Sequence, residues 1–260
     1  MGLKVSICIN LDTRNQRDEF GGTNLQGVCN EDFLTDGVFN KIKFFEGYET
    51  EVVVSVDEHN PIPEKSLAYL RSVCDLLLIR EHTEEHLFND WNYLRALQLC
   101  TGDIICHIDQ DCNTFASSKE SVQELINCLD TYSYISYPSN CSPNAVHDDS
   151  FNYRWVSTRW FMCKRETLNF PEIIKCLNDY EYFAETYKPS RILHWMEHIL
   201  GLICGSNVFY PPIEMDKVMI FCWENYEKYI LQRLNNQTYI EVKDWVNSKG
   251  GIFYPNQVRI

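Results

Sequence analysis

Short apolar runs alternate with amphipathic stretches through the first half of the chain. Residues 5–11 (Val-Ser-Ile-Cys-Ile-Asn-Leu) and 51–57 (Glu-Val-Val-Val-Ser-Val-Asp) are brief and rich in Val and Ile, and both read as buried strands. A helical stretch is expected over 63–73, a third strand over 75–80 and a longer helix around 87–99. In that helix Leu87, Trp91, Leu94 and Leu97 share an apolar face. Thr101-Gly102 stops it, because glycine closes a helix at little steric cost. Residues 104–108 are a fourth apolar run, terminated by Asp109-Gln110-Asp111. Strands and helices in alternation, with buried strands, predict an α/β protein whose central sheet is mainly parallel and flanked by helices.

The second half is less regular. Residues 139–152 are polar, with Pro143, Asp148 and Asp149, and read as a loop. A strand is expected over 154–165, a helix over 191–204 and a further tyrosine-rich helical stretch over 214–234, while the pattern from Thr238 onward is ambiguous. No internal repeat, low-complexity tract or linker interrupts the chain, so one compact unit is expected.

Composition narrows the function. Of 260 residues, 45% are apolar, enough for a sizeable core. The net charge of −14 argues against a groove that tracks nucleic-acid phosphates, and against an anionic membrane surface. An acidic protein that binds a diphosphate needs a cation between the two. No run of about 18 apolar residues occurs, so no transmembrane helix is expected. The first ten residues read as a strand rather than a signal peptide, and a cytoplasmic location follows as the expectation. The twelve cysteines include no Cys-x-x-Cys pair, which favours reduced buried thiols over zinc knuckles or a disulfide framework.

The candidate chemistry sits where strands end. Ligands of parallel α/β sheets bind beyond the carboxyl ends of strands, and Asp57, Asp109 and Asp111 all lie there. Hard cations such as Mg2+ and Mn2+ take oxygen ligands and bridge carboxylates to phosphates. An Asp-x-Asp that closes a buried strand behind helix-Thr-Gly-Asp is more specific than the tripeptide alone. Residues 92–111 (Asn-Tyr-Leu-Arg-Ala-Leu-Gln-Leu-Cys-Thr-Gly-Asp-Ile-Ile-Cys-His-Ile-Asp-Gln-Asp) resemble the core of the family 2-like GT-A glycosyltransferases. That resemblance implies a GT-A, Rossmann-like fold with a nucleotide-sugar donor half over 1–115. A smaller acceptor half, ending in a helical segment, would cover 116–260. It implies that Asp57 contacts the base, Asp109 the ribose or metal, and Asp111 the metal. It also implies Mn2+ or Mg2+ as cofactor, a donor expected to be UDP-linked, a glycan hydroxyl as acceptor, and inversion at the transferred sugar. The chain departs from the family at 10–15, which lacks the usual Pro-Thr-Tyr-Asn.

Arg14 and Arg17 are candidates to clamp the diphosphate, since guanidinium groups fit phosphate bidentately. In the stretch 191–203, Ile192, Trp195, Met196, Ile199 and Ile203 share one helical face, while helical spacing places His194, Glu197 and His198 on the other. His-x-x-Glu-His spells the inverted zinc-protease pattern, but that chemistry needs a distal acidic ligand and a larger scaffold than remains. For a transferase, Glu197 is the expected general base, with Asp148, Asp149 and Glu181 as alternatives. His194 or His198 would add a metal contact. Tyr153, Trp155 and Trp160 suit either sugar stacking or a core, and the 139–152 loop would close over a donor.

Three other classes fit less well. A sugar nucleotidyltransferase opens on a Gly-rich loop with a following Lys, for which Gly21-Gly22 is a poor substitute. A haloacid-dehalogenase-like phosphatase needs Thr or Val where Asn113 stands. A non-catalytic nucleotide-binding protein of the same fold is the third.

Overall fold

Strand β1 (Lys4–Asp12) is the axis of the fold, since its side chains are buried on both faces. The structure is a computed structural model that describes residues 2–13, 38–39, 41–58, 61–81, 90–109, 112–116, 118–136, 154–189, 196–210, 218–222, 252–254 and 257–259. On one side of β1 lies β2 (Glu49–Glu58), parallel and in register from Lys4↔Glu49 to Asp12↔Asp57. On the other lies β4 (Ile104–Asp109), parallel from Val5↔Ile104 to Asn10↔Asp109. Strand β3 (Leu76–Glu81) extends the sheet beyond β2. Beyond β4 come β7 (Trp160–Lys164), β6 (Tyr134–Ser136) and β8 (Val208–Phe209), giving seven strands in the order β3-β2-β1-β4-β7-β6-β8. Only β7 runs against the rest, being antiparallel to both β4 and β6. The expected α/β class and mostly parallel sheet are what the chain adopts.

Parallel neighbours require crossovers, and helices supply them. Helix α1 (Glu64–Val73) joins β2 to β3, and α2 (Asp90–Leu99) joins β3 to β4. The alternation of strand side chains sends Val5, Ile7, Ile9, Val52, Val54, Ile104 and Ile108 into one apolar layer. That layer is completed by Leu70 of α1 and by Val122, Leu125 and Ile126 of α3 (Lys119–Asn127). On the opposite face, Cys8, Val53, Ile105 and Phe161 meet Leu94 and Leu97 of α2. Ile173 of α4 (Phe170–Asn178) joins them, as do Met196 and Leu200 of α6 (Met196–Ile203). Helix α5 (Tyr180–Tyr187) adds Phe183 to a satellite cluster with Cys176 and Ile199.

Two expected elements are corrected. The strand read over 154–165 begins only at Trp160, because the Val156 amide donates to the Glu197 carbonyl on a helix (3.0 Å) rather than to a neighbouring strand. The helix read over 214–234 is a strand at β9 (Val218–Cys222), paired antiparallel with β5 (Cys112–Ala116). Its Val-Met-Ile-Phe-Cys run suits a pleated surface once a partner strand exists. A short hairpin, β10 (Ile252–Tyr254) with β11 (Gln257–Arg259), follows.

The Thr101-Gly102 turn is tied to the amino end of the sheet. A Cβ on Gly102 would lie 2.6 Å from the Ser6 amide nitrogen and 2.7 Å from its hydroxyl, so only glycine permits this approach. The Gly102 amide donates to Ser6 Oγ (2.8 Å), and Thr101 donates twice to Glu51, from N and Oγ1, each at 2.7 Å. Burial pushes the Glu51 carboxyl up, but the hydrogen bonds from Ser6 and Thr101 outweigh it and hold the group below its ordinary value. Cys8, Cys74, Cys100, Cys106, Cys128, Cys163, Cys176 and Cys204 are free thiols, and burial pushes those of Cys74 and Cys204 up, to about 12 and about 11. No helix among the described residues is long and apolar enough to cross a membrane.

Candidate functional site

The register of β2, β1 and β4 gathers polar side chains at their carboxyl ends. Asn10 stands between Ser55 and Asp109, and the Ser55 hydroxyl donates to Asn10 Oδ1 at 3.0 Å. Asp57 lies two residues further along the same face of β2 and is buried, with 5% of its surface exposed. Its carbonyl accepts from the Thr13 amide at 3.1 Å and the Thr13 hydroxyl at 3.4 Å, which holds the end of β1 against β2. Asp109 closes β4 and remains partly open to solvent at the lip of the sheet.

Beneath Asp109, two residues back on the same face, His107 is fully buried. Its Nε2 is 3.3 Å from Asp109 Oδ1, and its ring lies 5.2 Å from that of Phe161. The Asp109 amide donates to the Arg159 carbonyl at 2.8 Å. Arg159 thus leads into β7 beside the acid that ends β4. The residue before it, Thr158, donates from both its amide and its hydroxyl to Oε1 of Glu197, each at 3.1 Å. Burial raises the Glu197 carboxyl above its ordinary value; the two Thr158 bonds and the Arg159 charge pull the other way, and the negative charge of Asp109 adds to the rise. Asp109, Thr158, Arg159 and Glu197 therefore form one neighbourhood.

Helix α6 reaches this neighbourhood because Gly201 lets it lie directly on the chain at 154–155. A Cβ there would fall 2.0 Å from the Arg154 carbonyl oxygen and 2.9 Å from Trp155 Cα. The expectation that His198 lies with Glu197 on the face away from the core is corrected: Met196, His198, Ile199, Leu200 and Gly201 are all buried. The His198 ring meets Trp155 edge-on at 5.3 Å, and burial lowers its pKa to about 4, so the imidazole is neutral. Trp155 and Trp160 are core residues, so of the two roles open to them the structure selects the core. Glu181, in the first turn of α5, is exposed. Arg14, Arg17, Asp111, Asp148, Asp149, Tyr153 and His194 lie outside the described residues.

Asp109 offers a hard oxygen donor at an accessible edge. That suits Mg2+ or Mn2+, which one or two carboxylates hold while phosphate and water complete the shell. Among the described residues no three His, Cys, Asp or Glu side chains converge to form a metal cage. Thr158, Arg159 and His107 border this candidate site and were missed by sequence reasoning. Only His107 carried a signal, since a strand period of two places it under Asp109.

No protein-family model matches the sequence, and no curated protein matches it. Solved structures similar to the chain include several glycosyltransferases. One is the mannosyltransferase PcManGT from Pyrobaculum calidifontis, in complex with GDP-Man and Mn2+; it is 15% identical over 82% of this chain and 55% of that one, with a TM-score of 0.49. The galactosyltransferase LgtC, in complex with donor and acceptor sugar analogs, is 11% identical over 80% of this chain and 73% of that one, also at 0.49. The glycosyltransferase GlyE of Streptococcus pneumoniae TIGR4 is 8% identical over 95% of this chain and 64% of that one, again at 0.49. The chain spans about half the length of the mannosyltransferase it matches. Likeness of this degree assigns no chemistry to the chain.

Proposed function

We propose that the chain is a metal-dependent glycosyltransferase of GT-A type, transferring a sugar from a nucleotide sugar, UDP-linked in our reading, to a glycan hydroxyl with inversion. The observation that carries this reading is the meeting of Asp109, at the end of a central parallel strand, with Arg159 and the partly buried carboxylate of Glu197. An acid for the donor side and a base for the acceptor side thereby share one edge of the sheet. Residues 1–115 supply the donor half and 116–260 the acceptor half.

Asp57 and Asp109 lie two strands apart and are offset by two residues. At a strand spacing of ~4.8 Å and ~3.3 Å per residue, their Cα atoms are about 12 Å apart. A nucleoside diphosphate bridges such a gap and a single cation does not. Asp57 takes the base, and Arg14 and Arg17 take the diphosphate. Asp109 and Asp111 hold the cation against it, with His198 as a further ligand only if the ion reaches its buried ring. The cation, when bound, neutralises charge on the departing nucleoside diphosphate.

Glu197 accepts the proton of the acceptor hydroxyl as that oxygen attacks the anomeric carbon. A carboxylate raised by burial is the better base near neutral pH. We read the setting as cytoplasmic, a reading that the eight free thiols support.

Thermal stability measured with UDP, GDP and their sugars, with and without Mn2+, tests this. One nucleotide should raise the melting temperature in a metal-dependent way, and Asp111→Asn should abolish that part. A melting temperature indifferent to every nucleotide overturns the reading.

A further inference from the structure

Three contacts from one short segment fix a single residue, one on its backbone and two on its carboxylate. The Val156 amide donates to the Glu197 carbonyl (3.0 Å), and the Thr158 amide and hydroxyl both donate to Oε1 of the same residue (3.1 Å each). The close seat of Gly201 on Arg154 and Trp155 sets the height of the helix above this segment. Among the described residues, no donor is bonded to Oε2. A carboxylate oxygen gripped by two donors of a single residue is held in one orientation. Among the described residues, the charged and titratable groups around it include Asp109 on β4, Arg159 ahead of β7, and Tyr210, whose hydroxyl donates to the Trp155 carbonyl at 2.7 Å.

We propose that Thr158 is a positioning residue for transfer: by holding Oε1, it presents Oε2 of Glu197 to the acceptor hydroxyl. This rests on the transferase reading above. In the step, the hydroxyl proton passes to Oε2, the hydroxyl oxygen bonds to the anomeric carbon, and the bond from that carbon to the nucleoside diphosphate breaks, its electron pair leaving with the diphosphate. A base must sit within hydrogen-bond reach of the proton it takes, and an error of about 1 Å costs up to about 100-fold in rate. The backbone amide alone leaves the carboxylate free to swing about its last torsion. The hydroxyl closes that freedom.

Thr158→Val keeps shape and amide but loses the hydroxyl; Thr158→Ser keeps the hydroxyl. Crystal structures of both variants, with donor hydrolysis assayed on UDP-glucose, UDP-galactose and GDP-mannose with Mn2+, test the idea. In Thr158→Val the Glu197 side chain should leave its place, and kcat should fall about 10- to 100-fold with KM for the donor unchanged; Thr158→Ser should restore both. An unmoved Glu197 in Thr158→Val, an unchanged kcat, or a serine variant no better than valine overturns the positioning role. Failure of the unsubstituted protein to turn over any of the three donors overturns the transferase reading, and the catalytic role with it. The crystal comparison then still decides whether Thr158 orients the carboxylate.

Discussion

The amide of Asp109 donates to the carbonyl of Arg159 at 2.8 Å, one rung past the last strand pair, Ile108↔Trp160. That bond closes the ladder between β4 and β7 at the carboxyl end of β4. It joins the acid that terminates the parallel part of the sheet to the antiparallel strand whose approach carries Thr158. The two halves of the proposed site are therefore registered through backbone, which does not rotate away as side chains do.

Asp109→Asn should leave the fold intact, because the amide bond to Arg159 is made by the backbone. It should lower turnover about 100- to 1000-fold, the scale for losing one group that stabilises charge at the reacting centre. Calorimetric titration of nucleotide with Mn2+ checks the binding side. Unaltered metal-dependent affinity would remove Asp109 from the site.

Glu197→Gln keeps an oxygen for the two Thr158 donors and removes the proton acceptor. Turnover should fall about 100- to 10,000-fold. The stability effect runs the other way. A carboxyl whose folded pKa lies above 4.5 binds more protons in the native state, so its contribution is full below 4.5 and is lost as pH rises through the raised value. At pH 7 the glutamine variant should match or exceed the parent in melting temperature, with the gap narrowing toward acid pH. A variant less stable at pH 7 than at pH 4, relative to the parent, would contradict the burial argument.

The neutral imidazole of His198 makes a separate demand. Its folded pKa of about 4 lies below the ordinary 6.5, so its stabilising contribution is present above 6.5 and is lost as pH falls toward 4. His198→Phe places a ring of similar shape against Trp155 that does not titrate. Melting temperatures recorded from pH 7 to pH 4 should fall less steeply for the variant. Parallel curves would show that His198 does not carry the acid sensitivity.

The two crowded glycines should respond differently to alanine. Gly201→Ala forces α6 off the Arg154 carbonyl, costing about 2–3 kcal/mol and displacing Glu197, so stability and kcat should fall together. Gly102→Ala strikes Ser6 at the far end of the strands, so stability should fall while kcat per folded molecule holds. Denaturant unfolding beside active-site-normalised kinetics separates the two, and loss of kcat in folded Gly102→Ala would refute the distinction.

The central strands were readable because their evidence is local. Residues 5–11, 51–57 and 104–108 carry enough Val and Ile to mark buried strands, and a parallel sheet then places Asp57 and Asp109 at its carboxyl edge. What misled was long-range. Residues 218–222 become a strand only because 112–116 lies alongside, more than 100 positions earlier, so a helical reading of the segment had nothing to oppose it. Helical spacing put His198 with Glu197, but the core around Trp155 claimed the imidazole. Thr158 and Arg159 carry no pattern of their own. Their place follows from where Val156 and Asp109 find hydrogen-bond partners, and that is settled by tertiary contact.

The cluster of Lys4, Ser6, Glu51, Thr101 and Gly102 binds the rim of the sheet opposite Asp57 and Asp109. Strand β4 is 6 residues long, so about 20 Å of backbone separates the two rims. A protein built this way is anchored at one pole and carries its candidate site at the other. Substitutions that retune the candidate site need not loosen the anchor, and heat-hardening the anchor need not disturb the site.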